Sequence, residues 1–220
     1  VNMWYSINGG ASWIMSSHWY GGCGKPAVHA DQHVIEFSPT DGKLYVGNDG
    51  GVYVSDNGTS WTELTSGLAI SQIYKIGQAK TDVNKVMNGY QDNGSATSLE
   101  SGFLTVMGGD GMDCTYDHTD DNYAYGEYYN GQSISRIVNN SNQGSISGGI
   151  SESGDWVTPF ALDVTENETM YVGMQNVWKS TNIRSWSVNW KKITTFGGGN
   201  CNVLEQSEAN NDIMYVSKYN

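Results

Sequence analysis

The stretch that decides the fold is "VGNDGGVYVSDNGTSW", residues Val46–Trp61, because its pattern of short strands and turns recurs along the chain. The turn "NDGG" joins two short runs that are rich in apolar and β-branched residues, and the turn "SDNG" follows the second run. Asn-Gly and Asp-Gly pairs suit tight hairpin turns, since both residue types tolerate positive φ. The stretch therefore predicts two antiparallel strands and a turn into a third.

Aligning the chain with itself reveals a repeat of about forty residues. The segment "KLYVGNDGGVYVSDNGTSW", from Lys43, is echoed by "TMYVGMQNVWKSTNIRSW", from Thr169. Successive repeats are separated by 40, 39, 47 and 42 residues, counted between Phe37, Gly77, Tyr116, Asp163 and Glu205. A period in the forties with about four strands per repeat is typical of propeller blades. We therefore predict an all-β fold, a β-propeller of four-stranded antiparallel blades.

The repeat also predicts the domain organisation. In the first complete blade we predict strands at His33–Phe37, Leu44–Gly47, Val52–Ser55 and Trp61–Leu64. Complete blades are predicted at about 33–65, 71–107, 112–148 and 158–194, with half-blades at 1–16 and 201–220. The half-blades either complete one another and close a five-bladed ring, or belong to a larger propeller. Residues 1–220 thus form a single propeller domain or a propeller fragment.

Charge and composition argue against several classes of protein. The 220 residues include 11 basic and 23 acidic ones, a net charge of −12, whereas nucleic-acid binding needs clustered Lys and Arg. No apolar run approaches the roughly 18 residues of a membrane-spanning helix, so we expect no membrane insertion. Cys23, Cys114 and Cys201 match no metal-binding spacing. One disulfide with a spare thiol is an alternative, but we expect three unpaired thiols that are mostly buried.

One hairpin turn resembles a known motif. Ser6-x-Asn8-x-Gly10-x-Ser12-Trp13 resembles the Asp-box of BNR-repeat propellers, S-x-D-x-G-x-T-W, with Asn in place of Asp. In such a turn the Asn side chain bonds backbone N–H groups, Gly adopts positive φ, and Trp closes the apolar seam of the blade. Two shortened copies occur, so the structural set is Ser6, Asn8, Gly10, Trp13, Ser55, Asn57, Gly58, Trp61, Ser180, Asn182 and Trp186.

A longer ordered set of motifs strengthens the resemblance. It comprises "HWYGGCGKPAVHADQH", "GNDGGVYVS", "YQDNGS", "GGDGMD" and "GDWVTPFALD". In this order the motifs resemble sortilin-like BNR propellers of large secreted Bacteroidota surface proteins, which are often cargo of type IX secretion. The resemblance implies an extracellular or cell-surface location and continuity with further blades or domains in a longer chain. Xyloglucan-active glycoside hydrolases are more distant relatives.

The polar motifs are predicted to share one face. In a propeller, the turns between the second and third strands and the connections between blades open together around the central channel. The candidate ligand-binding residues on that face are His29, Asp31, His33, Asp49, Gln91, Asp92, Asn93, Asp110, Tyr128, Tyr129 and Trp156. The alternative is structural, since Asp-Gly and Asn-Gly turns are also what tight hairpins need.

The residue types on this face bear on three possible activities: glycoside hydrolysis, sialidase activity and zinc binding. Inverting glycoside hydrolysis needs two carboxyl groups roughly 6.5–9.5 Å apart, and the candidates are Asp31, Asp49, Asp92 and Asp110. A sialidase-type triad of arginines cannot form, because the chain has only Arg136 and Arg184. If extended, "HADQH" places His29, Asp31 and His33 on one side, but zinc would need a further ligand.

The sequence therefore favours a binding role over catalysis. We predict no metal and no cofactor; calcium has weak support, because no turn has the spacing of a calcium loop. The predicted partner is a glycan or an extracellular protein ligand, not nucleic acid. An inverting hydrolase acting on a neutral polysaccharide is the first alternative, and an architectural module of a large adhesin is the second.

Overall fold

Antiparallel sheets form nearly all the regular structure of the chain. The computed structural model describes residues 2–68 and 70–219. Val1 and Asn220, at the ends of the predicted half-blades, lie outside the described residues, as does Ala69 after the first complete blade. The chain divides into two compact units, Val1–Ser71 and Gln72–Asn220, which are described separately.

The first unit contains a hairpin and one four-stranded sheet. The hairpin pairs β1 (Met3–Tyr5) with β2 (Ile14–Ser17). The first sheet pairs consecutive strands in the order β3 (Gln32–Phe37), β4 (Leu44–Asn48), β5 (Gly51–Ser55) and β6 (Thr62–Glu63). A small apolar cluster of Met3, Val28 and Val46, with Tyr53 and Trp61 against it, joins the hairpin to this sheet.

The second unit contains three four-stranded sheets and a terminal hairpin. The second sheet consists of β7 (Ile73–Gln78), β8 (Val86–Tyr90), β9 (Gly94–Leu99) and β10 (Gly102–Met107). The third consists of β11 (Gly111–Tyr116), β12 (Tyr123–Tyr128), β13 (Ser133–Val138) and β14 (Ser141–Ser145), with a 3₁₀ turn at Tyr129–Gly131. The fourth consists of β15 (Phe160–Leu162), β16 (Met170–Gly173), β17 (Val177–Ser180) and β18 (Lys191–Lys192). The terminal hairpin pairs β19 (Cys201–Gln206) with β20 (Met214–Lys218).

The sheets confirm the predicted fold class. Every four-stranded sheet is an antiparallel meander in which consecutive strands are hydrogen-bonded, as in the blades of a β-propeller. Tight turns rich in Gly, Asn and Asp separate the strands. The strands themselves are rich in β-branched and aromatic residues, because those residues suit a pleated surface. Closure of a five-bladed ring by the two hairpins stays a prediction.

The core of the second unit lies between neighbouring sheets. Tyr125 and Ile134 of the third sheet pack with Met170 and Trp178 of the fourth and with Ile183 of the following loop. Met87 and Met107 of the second sheet pack in the same way against Ile137 and other residues of the third. Each fully buried side chain of this size contributes about 1.5–3 kcal/mol of favourable transfer free energy. Packing between faces therefore holds the second, third and fourth sheets together.

The first two motif turns are held by their Asn side chains. The Ser12 N–H donates to Oδ1 of Asn8 at 2.9 Å, and the Ser60 N–H donates to Oδ1 of Asn57 at 2.8 Å. In the second turn, Trp61 packs into the apolar cluster and donates from Nε1 to the Ser16 hydroxyl at 3.1 Å. Trp13 is 60% exposed instead, so it does not close the seam predicted for it.

In the fourth sheet, a different tryptophan closes the seam from the one that the motif predicted. Trp186 is 91% exposed, whereas Trp190 packs against the core and donates from Nε1 to the Ile146 carbonyl at 2.6 Å. The reason is the length of the turn, since ten residues, 181–190, separate β17 from β18. Asn182 closes this longer turn by accepting the Asn189 N–H at 3.0 Å and donating to the Ser187 carbonyl at 3.0 Å.

The thiols match the expectation of unpaired cysteines. Cys114 and Cys201 are buried, Cys23 is exposed, and all three are free. Within residues 2–68 and 70–219, no helix is long and apolar enough to span a membrane.

Candidate functional site

The predicted residues of the first unit meet at the ends of β3 and β4. Nε2 of His33 contacts Oδ1 of Asp49, and carboxylate oxygens of Asp31 and Asp49 lie within 4.8 Å of one another. A Cβ on Gly50 would lie 2.3 Å from Cγ of His29, so only glycine lets the turn pass this close to the imidazole. The structure therefore brings these four predicted side chains to one end of the first sheet.

The "HADQH" segment is not extended throughout. Asp31 has φ of 57°, in the left-handed region, and β3 begins one residue later. Strand alternation therefore does not determine the relative direction of His29 and His33. The backbone carbonyl of His29 instead accepts the Asn48 amide at 3.1 Å, which ties the segment to the end of β4.

In the second unit, Asp110 links the turn between β8 and β9 to the connection between β10 and β11. Oδ1 of Asp110 accepts the Asp92 N–H at 3.0 Å. The Tyr74 hydroxyl donates to Oε1 of Gln91 at 2.7 Å, and the Asn93 amide donates to the Gln91 carbonyl at 3.2 Å. These predicted ligand-binding residues therefore also stabilise the loops that carry them.

Three predicted aromatic residues form a continuous surface, which we call the aromatic step: Tyr128, Tyr129 and Trp156. The ring centroids of Tyr128 and Tyr129 are 4.5 Å apart, and those of Tyr129 and Trp156 are 5.0 Å apart in a stacked arrangement. The Asn130 N–H donates to the Trp156 carbonyl at 3.1 Å, and the Gly154 N–H donates to the Asn130 carbonyl at 2.9 Å. These backbone bonds hold the step in place, and Trp156 remains 38% exposed.

A cavity of about 290 Å³ adjoins the aromatic step, and Trp156 forms part of its wall. The first strands of the second sheet, the third sheet and the terminal hairpin contribute polar side chains to it: Lys75 from β7, Asp113 from β11 and Asn202 from β19. The remaining lining residues are Asp155, Val157, Pro159 and Tyr219. This cavity, which we call the Asp113 cavity, combines carboxyl, amide, ammonium and aromatic groups.

Asp113 is the functional candidate that sequence reasoning left out of its set. Burial raises the pKa of its carboxyl group to about 6, against the opposing effects of the Lys75 charge and of backbone N–H donors. One of those donors is the Cys114 N–H, at 2.9 Å from Oδ1. Asp113 lies between buried Met112 and Cys114 in β11, and this alternation was the signal that could have identified a carboxyl group on the opposite face of the strand, where the cavity lies.

A second carboxyl group with a strongly shifted pKa accepts a hydrogen bond from the backbone of Asp113. Glu127 is fully buried, and burial raises its pKa to about 8. Its Oε1 accepts the Gly131 N–H at 2.9 Å, and its Oε2 accepts the Asp113 N–H at 3.3 Å. Glu127 therefore supports both the strand that carries Asp113 and the turn that carries Tyr129.

Comparisons with known proteins show a likeness of fold only. No protein-family model matches the chain, and no curated protein matches it. An ancestral GH74 enzyme is similar in structure, with a TM-score of 0.52 and 17% identity over 86% of this chain. The GH74 xyloglucanase of Xanthomonas campestris gives a TM-score of 0.40 and 15% identity over 85% of this chain.

A third solved structure, the β-propeller domain of Cps50 (Swd1) from Myceliophteria thermophila, gives a TM-score of 0.49 and 9% identity over 87% of this chain. The chain spans 27% and 35% of the two GH74 proteins and 64% of the propeller domain. The likeness to the ancestral enzyme, whose TM-score exceeds 0.5, agrees with the all-β propeller fold. Identities of this order do not assign an activity.

Proposed function

We propose that this chain is a carbohydrate-binding propeller module whose ligand lies on the aromatic step and reaches the Asp113 cavity. The observation that carries the proposal is the stacking of Tyr129 on Trp156, which itself forms part of the wall of a cavity of about 290 Å³. A sugar ring has an apolar C–H face and a rim of hydroxyl groups. Flat aromatic rings suit the face, and the carboxyl and amide groups of the cavity suit the rim.

We further propose that the module belongs to the Asp-box, sortilin-like type and works outside the cell or on its surface. The ordered sequence motifs support this assignment, as do the hydrogen bonds of Asn8 and Asn57 across their turns. Longer secreted proteins of this kind would supply the neighbouring blades or domains, and type IX secretion is the proposed export route. Binding on the aromatic step needs no cofactor, so a chelator should leave it unchanged.

Replacing Trp156 tests the proposed site directly. We expect Trp156→Ala to weaken binding of a neutral polysaccharide by about tenfold or more, because the ligand loses an apolar contact of aromatic size. Isothermal titration calorimetry with oligosaccharides of the polymer that the wild type retains would measure the change. Trp13→Ala is the matched control, since Trp13 is exposed in a hairpin of the first unit.

The outcome separates the proposed function from its alternatives. Equal binding by wild type and Trp156→Ala would refute the aromatic step as the site. Retention of extracellular peptides but no polysaccharide would favour a protein ligand. If the protein bound neither polysaccharides nor peptides, the result would favour an architectural role in a large adhesin over the proposed function.

Glycoside hydrolysis is the second candidate function, and one observation favours it. Asp113, whose pKa is raised to about 6, shares its cavity with a second carboxyl group, that of Asp155. A protonated acid and a second carboxylate facing one bound sugar are what inverting hydrolysis requires. Asp113 would protonate the leaving oxygen and Asp155 would activate water, in place of the four aspartates that the sequence suggested.

A hydrolase would lose activity when either carboxyl group is removed. We expect Asp113→Asn to reduce the release of reducing ends about a hundredfold or more, because the general acid is lost. The wild-type rate should fall as the pH rises above about 6, where Asp113 ionises. Asp56→Asn is the matched control, because Asp56 is an exposed residue paired with Lys43. Absence of new reducing ends from wild type would exclude the second candidate and leave the binding proposal intact.

A further inference from the structure

The long turn between β17 and β18 carries a side chain whose exposure the fold does not explain. Its tip, Trp186, is 91% exposed, yet the residues around it are held firmly. Ile183 is fully buried in the core and donates its N–H to the Glu168 carbonyl at 3.1 Å. Arg184 forms an ion pair with buried Asp117 at 2.6 Å. The contacts of Ile183 and Arg184 therefore fix the turn that carries the exposed indole of Trp186.

The partner of this turn is Arg136 of β13, which is only 6% exposed. Its Nη1 donates to the carbonyls of Ile183 and Ser185 at 3.0 and 2.7 Å. Within the described residues, its Nε is buried without an acceptor and no carboxylate forms an ion pair with it. Arg184 is neutralised by Asp117, but the charge of Arg136 is not matched by a counter-charge. An uncompensated buried cation is costly, and an anion alongside would offset that cost.

Two cavities of about 290 Å³ each lie beside this arginine. Both are lined by Arg136, Gln143 and Trp186, and neither has an acidic side chain in its lining. Trp186 lies over the Arg136 guanidinium, with 5.8 Å between the guanidinium carbon and the ring centroid. We call these two cavities together the groove. In a chain of net charge −12, a groove that contains a buried arginine and no acidic side chain favours the binding of an anion.

We propose that this groove binds a saccharide that carries a carboxylate or sulfate group. The guanidinium group of Arg136 recognises the anionic substituent, because charge-assisted hydrogen bonds from arginine match the oxygens of such groups. The exposed face of Trp186 stacks on the sugar ring, and the Gln143 amide is placed to bond hydroxyl groups. The flat indole favours a sugar over a run of acidic side chains, because Asp and Glu have no ring face to stack on it.

Paired polymers test the proposal. Polygalacturonate and fully methyl-esterified pectin share a backbone, but only the first carries carboxylate groups. Dextran sulfate and dextran likewise share a backbone, but only the first carries sulfate groups. We expect the wild type to bind at least one charged polymer and neither neutral partner through this groove, by affinity electrophoresis and calorimetry. Binding should weaken as salt rises, because the ion pair is partly screened. The net negative charge of the chain disfavours non-specific binding to polyanions, so the background is low.

Two variants assign the binding to the groove. Trp186→Ala removes an exposed side chain, so it should fold normally and bind the charged polymer roughly tenfold more weakly. Arg136→Lys keeps the charge but loses the planar fork, and a loss of roughly tenfold is expected as well. Trp13→Ala and Trp156→Ala should leave this binding unchanged, which separates it from the proposed function at the aromatic step.

Several results would overturn the proposal. These are no binding of either charged polymer, equal binding of dextran and dextran sulfate, or undiminished binding by Trp186→Ala. Equal or tighter binding of poly-glutamate would identify the groove as a site for acidic peptides instead. Should Arg136→Lys fail to fold, the comparison of Trp186→Ala with Trp13→Ala still decides the question.

Discussion

A Gly89→Ala variant is expected to lose about 3 kcal/mol of the free energy of unfolding, because two sheets meet there backbone to backbone. Gly89 lies in β8, and a Cβ at this position would be 2.0 Å from the carbonyl oxygen of Met112 in β11. The same Cβ would lie 2.9 Å from the carbonyl carbon of Gly111. Main-chain atoms of a buried strand cannot move aside as a flexible side chain can, so the second and third sheets would have to separate.

Guanidinium unfolding followed by fluorescence would measure this loss. Gly108→Ala is the matched control, because a Cβ there meets no atom within 4 Å. We expect the control to stay within about 0.5 kcal/mol of wild type. A Gly89→Ala protein as stable as wild type would contradict the close packing of these two sheets.

The second large effect concerns Glu127 and the pH dependence of stability. Its pKa is raised from an ordinary 4.5 to about 8, so the unfolded chain releases this proton first as the pH rises. Between those values the folded state binds more protons, and the free energy of unfolding falls by about 1.4 kcal/mol per pH unit from this group. Asp113, raised to about 6, acts in the same direction over a shorter range.

Glu127→Gln should remove that loss. The variant keeps the shape of the neutral acid, and its amide oxygen can accept the Gly131 N–H as Oε1 of Glu127 does. Its NH2 group takes the place of Oε2 and cannot accept the Asp113 N–H, which costs about 1 kcal/mol. At pH 8 we expect Glu127→Gln to be more stable than wild type by about 3 kcal/mol, with a shallower slope between pH 5 and 8. Urea unfolding at intervals of one pH unit would measure both quantities.

A control separates Glu127 from the other shifted carboxyl groups. Burial opposes the ionisation of Asp163, but hydrogen bonds to its carboxylate, from the Thr165 N–H and the Gln206 amide among others, outweigh burial and lower its pKa. The stability that Asp163 contributes is therefore lost as the solution is acidified, in wild type and variant alike. Asp113→Asn should alter the slope only up to about pH 6. A wild type whose stability does not fall from pH 5 to pH 8 would refute the burial of Glu127 as an acid.

Much of the fold was predictable because its signals are local. The predicted strands of the first blade agree within one residue at every end with Gln32–Phe37, Leu44–Asn48, Gly51–Ser55 and Thr62–Glu63. Turn residues and strand alternation act over a few positions, and the repeat supplied independent copies of each signal. The grouping of Tyr128, Tyr129 and Trp156 followed from the same topology, because turns at one end of neighbouring blades lie close together.

The sequence by itself determined the all-β propeller class, the hairpin turns and the aromatic residues available to a ligand. Only the tertiary structure decided which groups are buried. It placed Asp113 in a cavity, buried Glu127, and gave the sealing role to Trp190 instead of Trp186. Among the residues that the structure describes, it also left Arg136 without an ion pair. The physical reason is range: turns and alternation depend on neighbours in sequence, whereas burial and charge pairing depend on contacts between blades some forty residues apart.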